Sequence, residues 1–144
     1  MIEQDTVKLL RECDAGVKMG IASIDDVLEH VAGEAFYEKL TNCAARHQQI
    51  QGDIQELLSR YDDAGKNPNP IAKGMSWMKT AMKLGMEETD ATIADLMTDG
   101  CNMGVKTLNR YLNQYKAADE QAKTLAKDLI RLEAQLAVDI RQYL

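Results

Sequence analysis

One face of a helix is specified between Phe36 and Tyr61, where apolar side chains recur at alternating steps of four and three residues. His47 stands at the middle of this face and is its only strong hydrogen-bonding group. The face consists of Phe36, Leu40, Cys43, His47, Ile50, Ile54, Leu57 and Tyr61. The chain must therefore bury a long amphipathic helix, and any chemistry in its interior is expected around His47.

Three further segments repeat this helical spacing. Together with the segment from Phe36 to Tyr61, they predict four long helices at about residues 5–31, 34–62, 88–114 and 118–143. Asp5 or Thr6 is expected to cap the first helix, and Gly33 to turn the chain into the second. In the third, Gly100 and Gly104 lie on the inward face, which predicts a local irregularity or an unusually close neighbour.

The clearest break in the helical pattern is the stretch from Gly65 to Pro70, which contains two X-Pro steps. A short methionine-rich helix is predicted after it, at about residues 72–85. Its methionines are expected to fill the core beneath a crossover or to form an adaptable partner surface. The 25 residues from Asp63 to Glu87 are long enough to cross a bundle of ~40 Å and return the chain to its starting end.

The composition agrees with a helical protein. The 144 residues suit one domain, and 45% are apolar although only 5% are aromatic and only two are proline. Four helices that each carry one apolar stripe close on one another as a bundle. We therefore expect an all-α, single-domain four-helix bundle over residues 1–144, with the one long crossover of ferritin-like folds.

The charge and the apolar runs exclude several classes of partner. A net charge of −6 without a basic stripe argues against a nucleic-acid partner. No apolar run approaches the ~20 residues of a membrane span, and the polar start from Met1 to Asp5 lacks the apolar core of a signal peptide, so neither is expected. A cytoplasmic protein is expected. Cys13, Cys43 and Cys101 match neither a disulfide framework nor a zinc spacing, so we expect small core residues.

Three short runs support a family resemblance. They are Gly74-Met75-Ser76-Trp77-Met78-Lys79, Arg110-Tyr111 and Asp139-Ile140-Arg141. Together they resemble an uncharacterised bacterial family of ferritin-like four-helix bundles, known only as a domain of unknown function. The resemblance implies the fold and no particular reaction.

Ferritin-like di-metal proteins place a Glu on each of two helices and a Glu-x-x-His motif on each of the other two. Only half of each Glu-x-x-His motif is present here. The residue three positions before His47 is Ala44 rather than Glu, and the residue three positions after Glu133 is Leu136 rather than His. Asp14 and Asp99 supply the nearest carboxylates on the other two helices, with Asp95 a poorer choice. These four residues, Asp14, His47, Asp99 and Glu133, are the candidate metal ligands, expected within about one turn of a common depth.

The competing interpretation of this polar layer is structural. A histidine on an apolar face is commonly a core residue bonded to a carboxylate, and Asp14 and Glu133 are the candidate partners of His47. The sequence contains no Ser-His-Asp arrangement, phosphate-binding glycine loop or activated thiol. No catalytic residue is therefore assigned.

Two functions follow from these interpretations. The favoured one is a non-catalytic helical bundle, without cofactor, that acts through self-assembly as a homo-oligomer or through a protein partner. The methionine-rich short helix and the ends Tyr143 and Leu144 would otherwise leave apolar surface in water, and this motivates the homo-oligomer. The alternative is a ferritin-like protein that binds iron, manganese or zinc in a mononuclear or degenerate di-metal site.

Overall fold

The protein is all-helical over residues 2–67 and 89–144, which are the residues described by a computed structural model. The helices are α1 (Ile2–Leu28), α2 (Glu34–Ser59), α3 (Asp90–Gln114) and α4 (Glu120–Asp139), and a 3-10 turn (Arg141–Tyr143) follows α4. No strand occurs in these two ranges. The predicted all-α bundle of four long helices is confirmed to this extent. The predicted short helix at about residues 72–85 lies outside the described residues.

The start of α1 differs from the sequence prediction for a tertiary reason. The helix begins at Ile2, so Asp5 and Thr6 lie within it and do not cap it. Their side chains instead accept hydrogen bonds from the backbone N–H groups of Ala117 and Asp119, at 3.0 and 2.8 Å. Both residues therefore fasten α1 to the turn between α3 and α4.

The other helix ends follow local capping chemistry. Thr89 and Asp119 accept hydrogen bonds from Thr92 and Ala122, as expected of N-cap side chains. The α2 helix ends at Ser59, earlier than predicted, because Asp62 adopts a left-handed conformation with φ of 54°. The backbone N–H groups of Asp62 and Asp63 then bond back to Ser59 and Leu58, which closes a Schellman motif.

Contacts at the two ends of the bundle fix the helix directions. The Asp90 carboxylate, at the start of α3, accepts hydrogen bonds from Ala32 and Gly33 in the turn between α1 and α2, each at 2.9 Å. The turn between α3 and α4 lies at the opposite end, against Asp5 and Thr6. Consequently α2 and α3 run in the same direction, antiparallel to α1 and α4. Around the bundle the order is α1, α2, α4, α3, and α1 also contacts α4.

The apolar core is divided into two halves along the bundle axis. One half lies toward the α1–α2 turn and is built around Phe36, against which Tyr143 stacks with a centroid separation of 4.5 Å. The other half lies toward the α3–α4 turn and is built around Leu9, Leu10 and Leu58. His47 and Glu133 fall between the two halves on α2 and α4. This interval in the core is where the candidate site is found.

Within residues 2–67 and 89–144, every helix is too short or too polar to cross a membrane.

Candidate functional site

A buried histidine and a buried glutamate meet at the centre of the bundle. His47 is 1% exposed and Glu133 is 9% exposed, because each lies on the inward face of its helix. His47 Nε2 is 2.6 Å from Glu133 Oε1. The side chains that carry the two halved motifs of α2 and α4 are thus brought together.

The hydrogen bonds of the His47 ring determine where its protons lie. Nδ1 is 2.9 Å from the backbone carbonyl oxygen of Cys43, and a carbonyl can only accept, so Nδ1 donates. The short bond between Nε2 and Glu133 Oε1 then requires one further proton. Both ring nitrogens are therefore engaged in hydrogen bonds, and an imidazolium bonded to a carboxylate is an arrangement that places a proton on each of them.

Electrostatics favour this protonated form. Burial alone would disfavour the charged ring, but the contacts with Cys43 and Glu133 outweigh it and raise the pKa of His47 to about 10. Because this pKa exceeds the ordinary value of 6.5, the stabilisation that the pair provides is complete below about pH 6.5. It declines as the pH rises toward 10.

Gly20 allows α1 to close over this pair. A Cβ at Gly20 would lie 2.7 Å from His47 Nε2 and 3.2 Å from Glu133 Oε1. Any side chain at this position would displace the imidazole or separate it from the carboxylate. Gly20 is therefore the position of close helix approach in the bundle centre.

Two thiols flank the pair, and neither is arranged as a nucleophile. Cys43 Sγ is 3.5 Å from His47 Nδ1, whose proton is directed at the Cys43 carbonyl. Burial and the nearby Glu133 carboxylate hold the pKa of Cys101 well above its ordinary value. Burial also raises the pKa of Cys13, to about 12. All three cysteines are free and buried, so they behave as small core residues.

A cavity of about 370 Å³ lies between α1 and α3, and His47 and Glu133 form part of its wall. Its α1 wall extends from Glu12 to Ile24, ~18 Å along the axis. Apolar and small residues form most of this wall. At ~30 Å³ each, about twelve water molecules would fill the volume. Ligand sites in proteins fall in this size range and occur between the helices of bundles.

Glycines on both helices make room for the cavity. Gly16, Gly20, Gly100 and Gly104 all line it. A Cβ at Gly104 would lie 3.7 Å from Glu133, and one at Gly16 would lie 3.9 Å from Leu108 and Leu129, which are ordinary contact distances. The α3 helix is continuous through Gly100 and Gly104, and Gly104 leaves space rather than admitting a neighbour. Neither the local irregularity nor the unusually close neighbour that the sequence predicts for the α3 glycines is therefore seen at Gly104.

Asp14 is buried but belongs to a different contact. Its Oδ2 is 2.7 Å from Lys18 Nζ and accepts a hydrogen bond from the backbone N–H of Lys66, while Oδ1 has no partner among the residues that the structure describes. Gly65, with φ of 90°, packs its backbone against this carboxylate. Along α1, Asp14 lies ~9 Å from Gly20, which contacts His47. Asp14 therefore anchors the chain that follows α2 and is not a partner of His47.

The α3 carboxylates do not reach the pair either. Asp99 and Asp95 are both exposed on the outer surface of α3. Of the four candidate metal ligands, the structure brings together His47 and Glu133 and leaves Asp14 and Asp99 apart from them. Gly16 and Gly20 are not among the predicted site residues, although their spacing of four residues places both on one helix face.

The geometry of the pair is that of a hydrogen bond rather than of two metal ligands. Two tetrahedral ligands at ~2.0–2.2 Å from a zinc ion lie roughly 3.3–3.6 Å apart, which exceeds the 2.6 Å between Nε2 and Oε1. In the two described ranges, no group of three or more His, Cys, Asp or Glu side chains is placed to hold a metal ion. The described residues therefore do not fit a metal centre as they stand.

Comparisons with known proteins give no further assignment, since no family model, no curated protein and no solved structure matches this chain.

The pair predicts a strongly non-additive response to mutation. His47→Leu leaves Glu133 buried without its partner, so we expect a loss of about 3–5 kcal/mol in the free energy of unfolding at pH 7. In the double variant His47→Leu/Glu133→Leu, which has no buried charge at the site, we expect recovery to within about 1–2 kcal/mol of wild type. Chemical denaturation of the wild type, both single variants and the double variant measures the coupling. Additive losses would show that the two side chains do not interact.

Proposed function

We propose that this protein is a non-catalytic helical bundle that acts by binding, and that its binding site is the cavity between α1 and α3. The observation that carries the proposal is the cavity itself, about 370 Å³ of mainly apolar wall with a few polar groups converging on it. A concave, largely apolar site with few polar groups is the usual form of a small-molecule site.

The state of the polar groups supports binding rather than turnover. A histidine that acts as a general base needs a free ring nitrogen, and both nitrogens of His47 are engaged. A thiol nucleophile needs a depressed pKa, and that of Cys101 is raised. The imidazole and the thiol beside the cavity are thus not arranged for turnover, and the second oxygen of Glu133 can orient a bound molecule.

The proposed architecture is a ferritin-like bundle with one long crossover between α2 and α3. The contacts of Asp90 with Ala32 and Gly33 support it, because they set the start of α3 at the end opposite that where α2 finishes. A connection in the interval from Asn67 to Thr89 that spans the length of the bundle is the feature that distinguishes this topology.

Self-association and a protein partner remain part of the proposal as secondary modes of action. Tyr143 stacks on Phe36 and is half-buried, so it gives less reason for assembly than the sequence suggests. Tyr37, Val138 and Leu144 are exposed, and they belong to segments near the end of the bundle where α2 begins and α4 finishes. This end is the surface that we propose for contact with another chain, and light scattering would detect a homo-oligomer.

Filling the cavity is expected to abolish binding. In the variant Gly16→Leu, the new side chain enters the cavity beside Leu108 and Leu129. Gly52→Leu is the matched control, because Gly52 is an exposed residue of α2 with no atom within 4 Å of its Cβ position. Both changes replace a helical glycine with leucine and gain about 0.5–1 kcal/mol of helix propensity.

The probe for this test is 1-octanol, titrated by calorimetry at pH 7. We expect wild type and Gly52→Leu to bind one equivalent of 1-octanol with equal affinity. We expect Gly16→Leu to bind 1-octanol at least tenfold more weakly. Equal binding by all three proteins, or no binding by wild type, would show that the cavity is not a ligand site.

The second candidate function is a reduced ferritin-like metal site. One observation favours it: His47 and Glu133, which are each the remaining member of an incomplete Glu-x-x-His motif, are in contact. Metal binding would require the bond between Nε2 and Oε1 to open, since the two atoms are too close to be ligands of one ion.

Elemental analysis distinguishes this alternative from the binding bundle. The wild type and the variant His47→Leu are purified in parallel and assayed for iron, manganese and zinc. Under the proposed function both proteins contain less than a tenth of an equivalent of metal. Stoichiometric metal in wild type that is lost in His47→Leu would establish the alternative instead.

A further inference from the structure

The chemistry of the cavity wall restricts what its ligand can be. Among the described residues that line the cavity, two are acidic, Glu12 and Glu133, and none is Lys or Arg. Glu133 uses Oε1 for His47, and its Oε2 lies 3.7 Å from the Cβ position of Gly104, another lining residue. The Cys101 thiol also lies within hydrogen-bonding reach of the Glu133 carboxylate. Because each carboxylate oxygen has two lone pairs, Oε2 can still accept a hydrogen bond from a molecule in the cavity.

Each acidic group of the wall is already balanced by a cation. Glu133 is paired with His47, and Glu12 is paired with Lys66. A negatively charged ligand would meet these carboxylates, and none of the described lining residues offers it a free Lys or Arg. A positively charged ligand at Glu133 would add a second cation beside the imidazolium. Burying an unpaired charge of either sign is strongly unfavourable, so the wall selects an uncharged head group.

We propose that the cavity takes an uncharged apolar molecule with one hydroxyl head group, which donates a hydrogen bond to Glu133 Oε2. This inference rests on the proposed function and specifies the ligand class of the same site. The hydrocarbon body of this molecule lies along the cavity, between the glycines of α1 and those of α3.

The remaining wall residues suit such a body. Met19, Met97 and Met103 line the cavity, and methionine side chains adapt to apolar ligands of different shape. The length of ~18 Å between Glu12 and Ile24 accepts an extended alkyl chain rather than requiring a compact ring. Linear alcohols are therefore suitable probes of this chemical class.

The test compares four linear probes of similar size that differ only at the head. They are 1-octanol, its isomer heptyl methyl ether, octylamine and octanoate. Affinities are measured by calorimetry at pH 7 for wild type and for the cavity-filled variant Gly16→Leu. We expect 1-octanol to bind wild type at least tenfold more tightly than each of the other three, because only it supplies an uncharged donor.

A second measurement identifies the acceptor. Wild-type protein carrying ¹³C at the glutamate side-chain carboxyls is titrated with 1-octanol and with the ether, and Glu133→Gln assigns the Glu133 resonance. We expect 1-octanol to shift this resonance and the ether to leave it in place. A resonance that is unchanged by 1-octanol at saturation would overturn the assignment of Glu133 as the acceptor.

The outcomes separate this inference from the proposed function. If octanoate, octylamine or the ether binds as tightly as 1-octanol, and Gly16→Leu abolishes that binding, the cavity is a ligand site and the hydroxyl class is wrong. If no probe binds, or if Gly16→Leu binds them as wild type does, the proposed function itself is wrong.

Discussion

The hydrogen bond between His47 and Glu133 is the constraint on which the centre of this bundle depends. It joins α2 to α4 at the level where the Phe36 half of the apolar core meets the Leu9 half. A buried pair of this kind contributes little net stability compared with apolar packing, but removing one member is costly. The bond therefore fixes how α2 and α4 are aligned more than it increases stability.

The same bond explains one of the glycines that line the cavity, Gly20 on α1. Gly20 must lack a side chain because the imidazole and carboxylate occupy the space beside it. Gly16 and Gly104 have room for a Cβ, so their effect is to leave the cavity open next to the pair. No side chain of residues 2–67 and 89–144 fills this volume, although filling it would add apolar packing. The open volume beside a pre-oriented carboxylate is the physical basis for proposing a binding protein.

Much of the fold can be predicted from the sequence because the helical spacing of apolar residues is local information. The spacing of apolar residues from Phe36 to Tyr61 predicts the buried face of α2 and the position of His47 on that face. Depth along the bundle is not local, so Asp14 was expected near His47 but bonds to Lys18 and to the backbone of Lys66. Asp5 and Thr6 were expected as caps for the same reason, since their partners on the distant α3–α4 turn appear only in the tertiary structure.

The protonation state of His47 in the folded protein is the most direct test of this description. An imidazolium that donates from both nitrogens requires the Glu133 carboxylate and excludes the ring as a metal ligand or general base. Nitrogen-15 NMR of the imidazole, assigned with the variant His47→Leu, reports the charge as the pH is raised. We expect both nitrogens of His47 to remain protonated at pH 8, with titration only as the pH approaches about 10. A ring that becomes neutral near its ordinary pKa of 6.5 would contradict the ion pair at the centre of the bundle.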